Sequence, residues 1–332
     1  MLKKERYNSF STCLLAREAK KRGIEVEKIF PNTGLSYLLL KNKNKIETII
    51  GQRISSISYN AHFICKNKEM TRFFLRKNGI KTVGGKMFFK SELSRALEYL
   101  ERIGYPVVIK PVDGTWGKNV FLNIRNKKEA IKKIKIIIKE KNKFLIEQQF
   151  KGKEYRILAT REKLLGIIHR IPANIIGNGK HTIKELIQIK NQDKRRGEKH
   201  EKSLVKIKID DEIKNNLREQ KMSLETIPLK NQQIFLRKNS NLSTGGDSLD
   251  VTDEAHPYIK KLAPQVIASI PGLPYAGFDF LISDIKNNPQ KVGYAIIEIN
   301  DSPMLSMHHI PYQGKKRNVA KEIISLIFPE NK

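Results

Sequence analysis

The chain has 332 residues, 39% of them hydrophobic, and a formal net charge of +30 at pH 7. That length and apolar content can bury a substantial core and exclude a disordered tail. No apolar run is long enough to span a bilayer, and Met1-Leu2-Lys3-Lys4-Glu5-Arg6 lacks the apolar core of a signal peptide, so no membrane is expected and the cytoplasm is the expected location. The two cysteines, Cys13 and Cys65, have no metal-ligand spacing and read as reduced thiols. The excess charge predicts attraction to anions, but the lysines are spread along the whole chain. The densest clusters, Lys127-Lys128 with Lys132-Lys133-Lys135 and Lys194-Arg195-Arg196, fit a solvated helix face and a polar loop. Nucleic acid is therefore not expected as the functional partner.

In chain order, the pattern predicts a helix over 12–22 stopped by Gly23, a strand over 24–30, and short strands over 36–40 and 45–50. A helix over 67–78 ends at Gly79. A strand over 87–89, a helix over 91–103 and a strongly apolar strand over 106–110 follow. A strand over 120–124, a helix over 127–139 and a strand over 144–147 complete a small layer. Beyond Gly152, strands over 155–160 and 163–171 turn at Arg161-Glu162 as an antiparallel pair. The polar stretch from about 190 to 232 is expected to be an exposed insertion. A strand over 234–237, a helix over 253–270, two apolar strands and a terminal helix over 317–327 close the chain. The class expected is α/β (α+β), divided into an N-terminal unit over 1–66, a small unit over 67–150 and a C-terminal unit over 151–332.

The two late strands carry the chemistry. Gly277-Phe278-Asp279-Phe280 is one; the other ends in Ile297-Glu298-Ile299-Asn300, where Glu298 and Asn300, two apart, project to one face. If Asp279 pairs beside them, two carboxylates and an amide oxygen form the hard-oxygen set that Mg²⁺ accepts while leaving positions for phosphate oxygens. The alternative is that these residues only close strands at a sheet edge. Asp113-Gly114-Thr115-Trp116-Gly117-Lys118 joins two strands as a glycine turn whose N–H groups could approach a phosphate; it lacks the spacing of a Walker A loop, and many such turns are only turns. Lys110 ends an apolar strand, where it could neutralise a phosphate. Glu147 and Glu154 flank a linker, either as contacts to an adenine amino group and to ribose hydroxyls or as ordinary surface residues. His308-His309, read as strand neighbours, would point to opposite faces and could not share one site.

The order of these pieces resembles the ATP-grasp superfamily. The resemblance sharpens in the stretch 170–183 containing Gly177-Asn178-Gly179-Lys180, in Arg195-Arg196-Gly197, in Asn241-Leu242-Ser243-Thr244-Gly245-Gly246-Asp247-Ser248, and in the tail from Glu298 through Pro303 to Lys315. These are similar to the ATP-grasp modules of cyanophycin synthetase and of bifunctional glutamate cysteine ligase/glutathione synthetase. The resemblance implies that Lys68 and Lys110 hold the nucleotide, Asp113 to Lys118 cover its phosphates, Glu147, Gln148 and Gln149 form the adenine hinge, and Glu154 binds ribose. It makes Asp279, Glu298 and Asn300 the metal ligands, with ATP and Mg²⁺ as cofactors and Mn²⁺ as the substitute ion. It turns Arg156, Arg170 and the Ser243, Thr244, Gly245, Gly246 loop toward the acyl substrate.

The activity so implied is ATP-dependent amide formation: a carboxylate attacks the γ-phosphate, and an amine then displaces phosphate from the acylphosphate. The partners implied are small carboxylate and amine substrates, and the resemblance is compatible with a homodimer. The chain carries neither the preceding ligase part of the bifunctional enzyme nor the following part of cyanophycin synthetase, so a free-standing ligase joining an amino acid or small peptide to an amine is expected. Asn119 and Asp301-Ser302 depart from the residues common at those places in the two families. A related alternative places the acceptor on a protein or peptide. One of another class makes the chain a non-catalytic basic protein holding nucleic acid or an acidic polymer.

Overall fold

A computed structural model describes residues 9–29, 37–43, 45–112, 119–198 and 200–329. The glycine turn Asp113 to Lys118 lies outside the described residues.

The N-terminal unit begins with α1 (Phe10–Lys21), followed by β1 (Glu25–Ile29), β2 (Tyr37–Asn42), β3 (Lys45–Ile50) and β4 (Arg53–Ile54), which pair in sequence order as an antiparallel meander. Gly23, at φ +71°, supplies the left-handed turn that ends α1, as expected. A helix absent from the sequence-based expectation, α2 (Tyr59–Lys66), starts at Ser58, whose hydroxyl accepts from the Ala61 N–H at 3.1 Å. It runs almost directly into α3 (Lys68–Lys77), capped by the side chain of Asn67.

The second unit contains β5 (Gly85–Phe89), α4 (Leu93–Ile103), β6 (Val107–Pro111), β7 (Phe121–Ile124), α5 (Lys127–Glu140) and β8 (Lys143–Gln148), with sheet order β5-β8-β6-β7. Ala130, Ile134 and Ile137 recur at helical spacing on α5 and are fully buried, while Lys127, Lys128, Lys132, Lys135 and Lys139 face water. With Val107, Ile109, Phe144 and Ile146 they form one core, each large side chain contributing about 1.5–3 kcal/mol. Because side chains alternate, burying Val107 and Ile109 turns Lys110 to the opposite face, and burying Phe144 and Ile146 does the same for Glu147.

The third unit is built on β9 (Lys153–Thr160), β10 (Leu164–Ile171), β15 (Asp247–Asp250), β16 (Tyr275–Ile282) and β17 (Ala295–Asn300), in the order β15-β10-β9-β16-β17 and antiparallel throughout. One face packs on α8 (Pro257–Ala268) through residues including Ile157, Phe278, Phe280 and Ile299. Part of the other face shares a core with α1 and α11 (Val319–Ile327), joining the N-terminal unit to the last helix. All three large sheets are antiparallel, so within the expected class the architecture is α+β.

The segment between β10 and β15 contains β11 (Asn174–Ile176), α6 (Ile183–Asn191), β12 (Arg196–Gly197), β13 (Leu204–Val205), α7 (Asp211–Glu219) and β14 (Gln233–Phe235). Its expectation as a merely exposed insertion is corrected. Ile207, Ile213 and Leu217 pack with Ile175, Ile183, Ile187, Ile234 and Leu236 in a core of their own. Arg196 is 1% exposed, paired with Asp247 and donating to the Val205 carbonyl. The polar composition concealed a few well-spaced isoleucines and leucines. A short helix, α9 (Pro289–Val292), precedes β17, and another, α10 (Ser306–His309), follows it. His308 and His309 are thus helical, and the reason given for separating them, strand alternation, does not apply; His308 is buried and His309 half-buried.

Candidate active site

Strand register assembles the site. Asp279 pairs with Arg156 on β9 and with Glu298 on β17, so the three stand in a row across the sheet. Asn300 lies two residues beyond Glu298, Glu154 two before Arg156, and Arg170 two beyond Ile168, the partner of Arg156 on β10. By alternation all six occupy the face opposite Phe278 and Phe280. A charged face results: the Arg156 Nε lies 2.8 Å from Asp279 Oδ1, and the Arg170 Nη2 donates to Asp279 Oδ2 at 2.8 Å while also pairing with Glu154. Glu154 in addition accepts from Ser240 Oγ at 2.8 Å, a contact the sequence did not suggest.

Lys110 and Glu147 stand on the cleft-facing side of the second sheet, with Lys110 Nζ 2.8 Å from Glu147 Oε2. Arg72, 1% exposed on α3, pairs with the other oxygen of Glu147. Arg72 was not among the expected residues, although its place one helical turn after Lys68 on the same face was the available signal. Lys68 bridges the two sheets: its Nζ donates to the Val112 carbonyl at 3.4 Å and lies 3.8 Å from Glu298 Oε2. Gln148 and Gln149 follow directly. Their N–H groups donate to the carbonyls of Gly84 and Pro106, and they line a cleft of about 790 Å³ shared with Arg76, Lys81 and Tyr294 but not with Lys68 or Lys110. Ser243, Thr244, Gly245 and Gly246 lead into β15 at the sheet's edge, separated from the Asp279 strand by β10 and β9; Thr244 Oγ1 donates to the Asn241 carbonyl, and the Gly245 carbonyl accepts from Arg196.

Burial alone would push the Asp279 carboxyl up, but the adjacent Arg156 and Arg170 guanidiniums hold it below the usual carboxylate range. Lys110 moves the other way: burial lowers it, against the opposing pull of Glu147. A lysine so desolvated beside a carboxylate is a cation that an incoming phosphate would compete for.

Among the described residues no group of three or more His, Cys, Asp or Glu is gathered as a metal cage. What is present is the smaller set of two carboxylates and one amide. Asp279 Oδ1, on a side chain only 7% exposed, meets Arg156 as an ion pair without hydrogen-bond geometry, and the Glu298 side chain is 37% exposed. Such a set suits a hard cation that keeps its other positions for phosphate oxygens and water, so the residues fit Mg²⁺ held jointly with a nucleotide.

The two antiparallel sheets, with charged residues on their facing sides, have the arrangement of the ATP-grasp fold, and the comparisons agree with that fold. The family model "Phosphoribosylglycinamide synthetase, ATP-grasp (A) domain" matches residues 66–164. The chain is 35% identical to a glutathione biosynthesis bifunctional protein of Clostridium perfringens, over 96% of this chain and 41% of that protein. It is 33% identical to cyanophycin synthetase of Trichormus variabilis, over 96% of this chain and 35% of that protein. The crystal structure of a bifunctional glutathione synthetase from Pasteurella multocida superposes with a TM-score of 0.75 at 32% identity, over 97% of this chain and 44% of that one. The chain therefore spans less than half the length of these relatives.

Proposed function

We propose that this protein is an ATP-dependent, ADP-forming ligase that joins the carboxylate of an amino acid or small peptide to an amine through an acylphosphate. The observation that carries the reading is the row Arg156–Asp279–Glu298, extended by Asn300 and faced by Lys68 and Lys110 across the cleft. The names of the relatives support it, both belonging to enzymes of peptide-like synthesis, and glycine addition to γ-glutamylcysteine is one version of the reaction.

In this reading Lys68 and Lys110 hold the α- and β-phosphates, the Glu147 to Gln149 hinge meets the adenine, and Glu154 takes the ribose hydroxyls. Asp113 to Lys118 cover the phosphates. Asp279, Glu298 and Asn300 would hold Mg²⁺ or Mn²⁺, which when bound neutralises and orients the triphosphate. Arg156 and Arg170, which pair with Asp279, would stabilise charge on the transferred phosphoryl group and orient the acyl carboxylate. The Ser243 to Gly246 loop closes the acyl side. No protein nucleophile takes part; the residues position two anions against each other. The proposed division is 1–66, 67–150 and 151–332, the last two units clasping the nucleotide. We also propose a homodimer in the cytoplasm; among the described residues no helix is long and apolar enough to cross a membrane.

The test is release of ADP and phosphate with a pairwise panel of amino acids and dipeptides. Turnover that needs Mg²⁺, an acid and an amine together is expected; nucleotide binding without turnover on any pair, or no nucleotide binding, would overturn the proposal.

A further inference from the structure

The N-terminal unit contributes no residue to the set above, yet it grips the chain immediately after Asn300. Asp301 is 2% exposed, and its carboxylate is held entirely by that unit: the Arg53 Nε of β4 donates to Oδ2 at 2.5 Å, and the His62 Nδ1 of α2 lies 2.7 Å from the same oxygen. An ionised carboxylate only accepts, so Nδ1 of His62 carries the proton. The next residue is held as well, its Ser302 Oγ accepting from the Gln52 N–H at 3.4 Å. The Ser302 N–H in turn donates to Asn300 Oδ1 at 2.9 Å, which fixes the plane of the Asn300 amide and leaves the oxygen a second lone pair. Tyr275, which opens β16, donates its hydroxyl to the Gln52 carbonyl, so the same turn also anchors the strand carrying Asp279.

We propose that Arg53, His62 and Asp301 are positioning residues for the metal end of the site, the N-terminal unit serving to set the Asn300 amide. The inference rests on the ligase reading above. A carboxylate this buried persists only with partners that meet its charge, and both partners come from elements more than two hundred residues earlier in the chain. A ligand at a strand's last residue is otherwise free to follow the loop beyond it. Groups that orient metal ligands usually affect metal affinity by about 10–100-fold.

The experiment measures Mn²⁺ affinity by electron paramagnetic resonance on the full chain with a non-hydrolysable ATP analogue, alongside analogue binding without metal and the thermal midpoint. Arg53→Ala and His62→Ala remove partly exposed side chains and keep the fold testable where Asp301→Asn does not. The expected result is a loss of roughly tenfold or more in Mn²⁺ affinity with unchanged metal-free analogue binding, partly restored in Arg53→Lys. Unchanged Mn²⁺ affinity with a lowered thermal midpoint would mean the cluster is only packing, and would overturn the inference while leaving the ligase reading intact. Failure of the unaltered chain to bind Mn²⁺ and analogue together would overturn both.

Discussion

His308 sits on α10 with 1% exposure, and among the described residues neither ring nitrogen has a hydrogen-bond partner. Burial holds its pKa down from the usual 6.5 to about 3, with the Arg156 and Arg317 charges adding to the effect. The folded protein thus keeps a neutral imidazole where the unfolded chain would protonate it. Between pH 6.5 and about 3 the unfolded state binds one more proton, so this group's contribution to stability falls as the pH drops. At about 1.4 kcal/mol per pH unit, the change from pH 7 to pH 5 costs about 2 kcal/mol. Urea unfolding of the unaltered chain, of His308→Leu and of His308→Gln at both pH values isolates this term, because the other titrating groups are common to all three. The unaltered chain should lose about 2 kcal/mol more than either variant over that interval. Equal losses in all three would refute the reasoning and mean that His308 is charged in the folded protein or reaches water.

Lys110→Ala and Glu298→Ala should each lower nucleotide turnover by about 10²–10³-fold with near-ultraviolet circular dichroism unchanged, since each removes charge from the phosphate region; turnover within a few-fold of the parent would count against the site. Arg72→Met leaves Glu147 buried with Lys110 as its remaining cation and should destabilise the fold by about 3 kcal/mol in chemical denaturation, while Arg72→Lys should recover part of that. Gly245→Ala should cost about 1–3 kcal/mol by the same measurement, because Gly245 has φ +100° and an added Cβ would lie 2.6 Å from Ile207 Cγ1.

Much of the fold was legible wherever local periodicity is strong. Alternation placed Glu298 and Asn300 on one face of the last strand, and the observed pairing of Asp279 with Glu298 joins the two strands whose proximity the sequence had left conditional. The helix expected over 127–139 is α5, which buries Ala130, Ile134 and Ile137 at i, i+4, i+7. Less legible were short elements with weak periodicity. α2 was missed because its eight residues mix Tyr, His, Phe and Lys, so that Ala61 and Ile64 alone are buried. The core of the segment between β10 and β15 went unrecognised because its apolar residues are dispersed among lysines and asparagines.

The sequence by itself offered the chemical vocabulary: two carboxylates and an amide on two late apolar strands, and a lysine closing an earlier one. Only the tertiary structure decided how those charges are balanced. Arg72 meets Glu147 from 75 residues away, Ser240 meets Glu154 from 86, and Arg53 meets Asp301 from 248. A buried charge requires a counter-charge, but nothing in local sequence says which distant segment supplies it. That choice falls to the packing of whole elements, which here brings the N-terminal meander and α2 against the end of β17.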